Sequence, residues 1–174
     1  MPVNTYIDES ARSHYMLCGV NVKQQDLEPI RSSLKALTLR GKSRVHMYEE
    51  SRGRQKSVAR EIARFDVFAW LISVSSSTIK QPESRFLALK SMAEVKSLKD
   101  SRIMVLENSN SMRRDNKSLN ELSRSVDYQF PHYRHMNSRH EPLLWLPDII
   151  AWCYGRGGTW RDAVEPLVTE VIEL

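Results

Sequence analysis

The chain predicts an α/β fold, a mixed sheet flanked by helices, and three features of its sequence carry that expectation. Two β-rich runs, residues 3 to 8 and His14 to Lys23, are joined by a connection short enough to make them an antiparallel pair. Two later runs, Asp66 to Ser75 and Arg102 to Leu106, are almost continuously apolar, as strands covered on both faces are. Helical spacing fills the intervals, and strands alternating with helices after an opening hairpin give a mixed, layered sheet.

Taken in order, the first strand ends at the acidic pair Asp8-Glu9, and the second runs to Lys23. Leu27, Ile30, Leu34 and Leu37 predict a helix over Gln24 to Leu39, stopped at Gly41. Arg44 to Met47 reads as a short strand, and Arg54 to Arg64 as a helix with Val58, Ile62 and Phe65 on one face. After the apolar 66–75 strand, Pro82 opens a long helix over Gln81 to Lys99. The strand Arg102 to Leu106 ends at Glu107, a polar loop covers Asn108 to Lys117, and Ser118 to Val126 forms a short helix. Residues 128 to 137 are ambiguous, with one more strand as an option. Pro142 to Tyr154 forms an apolar helix, broken by Gly155, Gly157 and Gly158, and Thr159 caps a final amphipathic helix to Leu174.

A length of 174 residues fits a single domain over 1–174, and 41% hydrophobic with 27% charged residues is ordinary for a globular protein. No apolar run reaches bilayer-spanning length, and Asp8-Glu9 comes too early for a secretory signal. Cys18 and Cys153 lie far apart in apolar contexts, which favours reduced thiols and a cytoplasmic location over a disulfide framework. The net charge of +5 and pI of about 9.3 favour a polyanionic partner. The cations cluster at Arg52, Arg54, Lys56, Arg60 and Arg64, at Arg113, Arg114 and Lys117, and around Arg134 and Arg139. Such clusters are either solvated faces or phosphate contacts, and convergence on the acids below would favour the second.

The chemistry sits in carboxylates. Asp148 stands inside Leu143-Leu144-Trp145-Leu146-Pro147-Asp148-Ile149-Ile150-Ala151-Trp152, and a lone acid in an apolar helix is costly unless paired, hydrogen-bonded or bound to metal. Asp8 and Glu107 end strands at positions where open sheets of this class gather functional groups. Converging carboxylates in a basic surround bind Mg²⁺ or Mn²⁺, and two such ions roughly 3.5–4 Å apart support in-line phosphodiester cleavage. The expected ligands are Asp8, Glu9, Glu107 and Asp148, although strand alternation turns Glu9 away if Asp8 faces the site. His46 is a candidate general base or ligand, with a satisfied strand-end histidine as the structural option. The structural options for the acids are a strand-end pairing of Asp8-Glu9 with nearby Arg, a salt bridge of Asp148 with Arg139 or Arg156, and an ordinary loop acid at 107.

Tyr6-Ile7-Asp8-Glu9-Ser10, Leu17-Cys18-Gly19-Val20, Arg44-Val45-His46 and Leu146-Pro147-Asp148-Ile149-Ile150-Ala151-Trp152 resemble, in order, the domain-of-unknown-function 3800 family. That family of bacterial and phage proteins is regarded as RNase H-like. The resemblance implies an RNase H-like sheet and metal-dependent nuclease activity, with Asp8 as the first-strand aspartate and Asp148 as the carboxylate of the C-terminal helix. RNase H-like enzymes usually place another acid on the strand beside the first. If the 66–75 strand is that neighbour, it ends in Ser75-Ser76-Ser77, and Glu107 lies one strand further out. Glu49 or Glu50 would then supply the helix carboxylate. Ala11 also replaces the family's usual glycine after Asp-Glu-Ser.

The leading expectation is a metal-dependent nuclease acting on DNA or RNA. The alternatives are a non-catalytic nucleic-acid- or protein-binding module with a degenerate site, and a hydrolase of a smaller phosphorylated substrate. Oligomeric state is open at this level.

Overall fold

The computed structural model describes residues 2–12, 14–75 and 80–174. Strands β1 (Val3–Ala11) and β2 (Tyr15–Lys23) pair antiparallel, and β3 (Val67–Val74) continues the meander against β2. Two helices, α1 (Leu27–Ala36) and α2 (Arg52–Ile62), bridge β2 to β3. The chain then crosses through α3 (Gln81–Ser91) to β4 (Ser101–Glu107), which lies parallel to β1 on its other side. Another crossover, α4 (Met112–Ser125), leads to β5 (His132–Met136), parallel to β4. Helices α5 (Trp145–Arg156) and α6 (Gly158–Val164) precede the edge strand β6 (Val168–Glu173), parallel to β3. The sheet order is β5-β4-β1-β2-β3-β6.

Side chains alternate between the sheet's faces, and each face carries its own core. Tyr6, Met16, Cys18, Val20 and Val105 pack with α1, α2, α5 and α6. Ile7, Tyr15, Leu17, Met104 and Leu106 pack with α3 and α4. Strands buried on both sides are what the continuous apolar runs require. Among the described residues, no helix is long and apolar enough to cross a membrane.

Four local expectations are corrected. Arg44 to Met47 pairs with no strand among the described residues; Val45 and Met47 are buried by packing, and a 3₁₀ turn follows at Met47–Glu49. The helix expected over 81–99 stops at Ser91 and continues as two 3₁₀ turns. The Glu170 carboxylate caps the second, accepting from the Lys96 and Ser97 amides at 2.7 and 3.0 Å. The polar stretch 108–117 is loop only at its start, because α4 begins at Met112 and buries Asp115. Finally, the helix expected to run to Leu174 ends at Val164. Thr159 lies inside α6, whose N-terminal cap is Gly157 at φ 74°, and Pro166 sits in a 3₁₀ turn before β6. Val168, Thr169, Val171 and Ile172 are β-branched and exposure alternates along β6, which is a strand signature.

Gly19 sits between Ile7 of β1 and Trp70 of β3. A Cβ there would lie 2.1 Å from Cε2 and Cζ2 of Trp70, a ring only 1% exposed. Gly19→Ala is therefore expected to lose about 1–3 kcal/mol or more of stability through overpacking, read as a lower urea midpoint by tryptophan fluorescence.

Candidate active site

Alternation along β1 decides which acids meet. Asp8 shares its face with Tyr6, beneath α5, and Glu9 shares the opposite face with Ile7. On β4, Glu107 has the parity of Val105, so it faces α5 as well. The ladder pairs Ile7 with Leu106, placing Asp8 and Glu107 one step on, at the carboxyl ends of adjacent parallel strands. The 66–75 strand is not β1's neighbour: β3 pairs with β2 and β6, so Glu107 stands directly beside the first-strand acid. Ser76 and Ser77, considered above at that strand's end, lie outside the described residues.

Asp148 enters from the first turn of α5, a helix anchored by Leu146, Ile149, Ile150 and Trp152. Its ion-pair partner is His46, whose Nδ1 lies 3.0 Å from Oδ2 of Asp148. Neither Arg139 nor Arg156 forms an ion pair with it among the described residues. The hydrogen bond to Asp148, ahead of the opposing effect of burial, raises the His46 pKa. With Nδ1 committed to Asp148, Nε2 is the ring nitrogen left to face a substrate or an ion.

The carboxylates repel one another. Asp8 is pushed well above the usual carboxylate range, first by removal from water and then by Asp148, with Glu107 and Glu9 adding to it. A 2.7 Å hydrogen bond from the Glu9 amide to Oδ1 of Asp8 works against that rise. Glu107 is raised by burial, opposed by hydrogen bonds from Ser138 and by Arg44, and its buried Oε2 has no hydrogen-bond partner. Arg44 also donates to Oγ of Ser138 at 2.7 Å. Behind the site, Cys18 opposes Asp8 in the ladder, and burial raises its thiol pKa; Cys153 is pushed up to about 12 by burial and Asp148. Both are packing residues.

The structure does not bring Glu9 into this group. Its Oε2 accepts from the Tyr15 hydroxyl and from Nη1 of Arg85, both at 2.5 Å. Arg85 also grips the buried Asp115 in a two-pronged pair at 2.9 and 2.8 Å. Glu9 thus closes a polar network beneath α3 and α4. Glu50 is held by Arg54 at 3.2 Å and is not free to act as the helix carboxylate, while exposed Glu49 affects His46 only through its charge.

The donor chemistry of Asp8, Glu107 and Asp148 fits a hard divalent cation: three carboxylates from three elements, mutually repelling, one with an orphaned buried oxygen. Their present spacing is looser, and among the described residues no three His, Cys, Asp or Glu side chains are grouped closely enough to hold a metal ion.

An antiparallel β1-β2-β3 meander beside a parallel β1-β4-β5 block, with helices on both faces, is an RNase H-like α/β fold. The chain is similar to the solved structure of the PCNA:RNase HII complex from Archaeoglobus fulgidus, with a TM-score of 0.55 and 16% identity over 87% of this chain and 70% of that one. No family model and no curated protein matches the chain.

Asp8 and His46 both bind protons more tightly in the folded state, so in metal-free buffer each contribution to stability is greatest below its unfolded pKa. Those pKa values are about 3.9 and 6.5, and the stability is lost as pH rises through the folded values. Thermal melts from about pH 4 to pH 8 should show wild-type stability falling more steeply with pH than that of Asp8→Asn. Equal slopes would remove Asp8 from a repelling cluster.

Proposed function

We propose that the protein is a metal-dependent nuclease that hydrolyses phosphodiester bonds, with Asp8, Glu107 and Asp148 as the ligands of Mg²⁺ or Mn²⁺. The observation that carries this reading is Asp8 itself: a half-buried acid flanked by Asp148 and Glu107, whose strongest charge interaction is with another carboxylate and not with a cation. The RNase H-like fold and the position at the carboxyl ends of β1 and β4 support it. The Asp8-Glu9-Ser10 and 146–152 motifs support membership of the domain-of-unknown-function 3800 family as part of the same proposal.

When bound, the ion would supply an activated water and charge neutralisation at the phosphate. The chain's own residues do the rest. Asp8 is fixed by its hydrogen bond from the Glu9 amide, and Ser138 with Arg44 orients Glu107. His46 is oriented by Asp148 and, through Nε2, donates a proton to the departing oxygen. Glu9 has no part in the chemistry; it orders the strand end through Arg85 and Tyr15. The looser spacing of the carboxylates favours a second reading, a nucleic-acid-binding module that keeps the fold without a complete metal site.

Cleavage of labelled single-stranded, duplex and hybrid substrates with Mg²⁺ or Mn²⁺ separates the two. Asp8→Asn and Asp148→Asn should each lose at least about 100-fold in rate, beyond the roughly 10–100-fold cost of outer-shell changes. Metal-dependent binding of Mn²⁺ should vanish with them in calorimetry. Binding without cutting or metal uptake by wild-type protein would establish the module instead. Glu9→Gln should keep the wild-type rate while losing about 1–3 kcal/mol of stability, the cost of weakening a charged hydrogen-bond network.

A further inference from the structure

On the α5 side of β1, beyond Asp8, the sheet and helix enclose a cleft of about 220 Å³ lined by Ser10, Arg12, His14, Trp152 and Arg156 among others. We propose that this cleft binds the phosphate next to the scissile one, so that the protein grips a nucleic-acid strand and not a mononucleotide. The proposal rests on the nuclease reading and extends it to the substrate.

Position is the first argument. Ser10 lies two residues beyond Asp8 on the same face of β1, and Trp152 lies one turn beyond Asp148 on α5. Both steps are about 6–7 Å, so the cleft continues the carboxylate site along the two elements that build it.

Charge is the second argument. The guanidinium groups of Arg12 and Arg156 stand 5.6 and 5.1 Å from the same Trp152 ring. Both side chains are exposed, and neither is ion-paired with a carboxylate among the described residues. Among the described residues, the cleft lining holds no acid. Two like charges gathered on one indole, without a counter-ion, form a site for an anion, and the guanidinium fork matches phosphate oxygens. Cation–π contact orients both groups without neutralising them.

The third argument is the rim. Tyr48 is 68% exposed, lies two residues from His46, and has the Arg12 guanidinium 4.5 Å from its ring. An exposed aromatic face beside a phosphate site gives a nucleobase somewhere to stack, which is how sequence-tolerant single-strand sites are made.

The test is binding of a labelled single-stranded oligonucleotide in EDTA, followed by fluorescence anisotropy across a salt series. EDTA removes the metal, so the result stands apart from whether the protein cuts. Arg12→Gln/Arg156→Gln should weaken binding about tenfold or more and reduce the salt slope by about 0.7, the loss of one phosphate contact on a single strand. Lys99→Gln/Arg102→Gln removes the same charge at the opposite end of β4 and should change neither quantity. A mononucleotide should bind weakly and alike to all three proteins.

Unchanged binding in the cleft variant overturns the proposal, as does an equal loss in the control pair, which would mean diffuse attraction only. Preferential capture of the mononucleotide by the cleft also overturns it. If the double glutamine protein fails to fold by circular dichroism, Arg12→Lys and Arg156→Lys replace it. Each keeps the charge and loses the fork, so affinity should fall several-fold at an unchanged salt slope. No loss in either lysine protein, with the slope unchanged, overturns the assignment of both guanidiniums.

Discussion

The period-two alternation of β1, locked between an antiparallel and a parallel neighbour, is the constraint on which the rest of the molecule depends. Slipping that strand by one residue would exchange Tyr6 for Ile7 and Asp8 for Glu9, sending each core residue and each acid to the wrong face. The two cores make such a slip expensive, because both faces of β1 are filled with apolar partners. One consequence is that adjacent carboxylates lead separate lives. Asp8 is left among other acids under α5, whereas Glu9 is tied to Tyr15 and Arg85 under α3.

Helix α5 is the second half of that constraint. Its buried faces hold it across β1 and β2, and the apolar anchorage offsets the cost of carrying Asp148 into the site. The same helix presents Trp152 and Arg156 further along, so one rigid element carries the acidic and the basic parts of the region. A carboxylate cluster held by packing is a store of unfavourable electrostatics. The fold tolerates it because the repulsion is confined to one end of the sheet, where a cation has most to offer.

Much of the architecture was legible in the chain. The opening hairpin, the two buried strands and the apolar helix were readable because each has a strong period or a continuous apolar run. Asp148 was recognisable as unusual because no lone acid sits comfortably in such a helix. The C-terminal strand is less legible, since a short alternating segment at a sheet edge resembles a weak amphipathic helix; Pro166 and the β-branched run are what distinguish it. The cationic clusters were also a poor guide. Arg54 is spent on Glu50, and the cation felt by both Glu107 and His46 is Arg44, which belongs to none of them. Arg12 and Arg156 are isolated in sequence and meet only on the face of Trp152.

By itself, then, the sequence determined the α/β class, the alternation that parts Asp8 from Glu9, and the oddity of Asp148 in an apolar helix, because these follow from local periodicity and the cost of burying charge. Tertiary structure alone decided that β4, and not β3, adjoins β1, which brings Glu107 beside Asp8. It also decided that His46 pairs with Asp148 across 102 positions, and that Glu9 is consumed by Arg85. Strand order and long-range pairing depend on how crossovers pack against a whole sheet. No window of neighbouring residues contains that information.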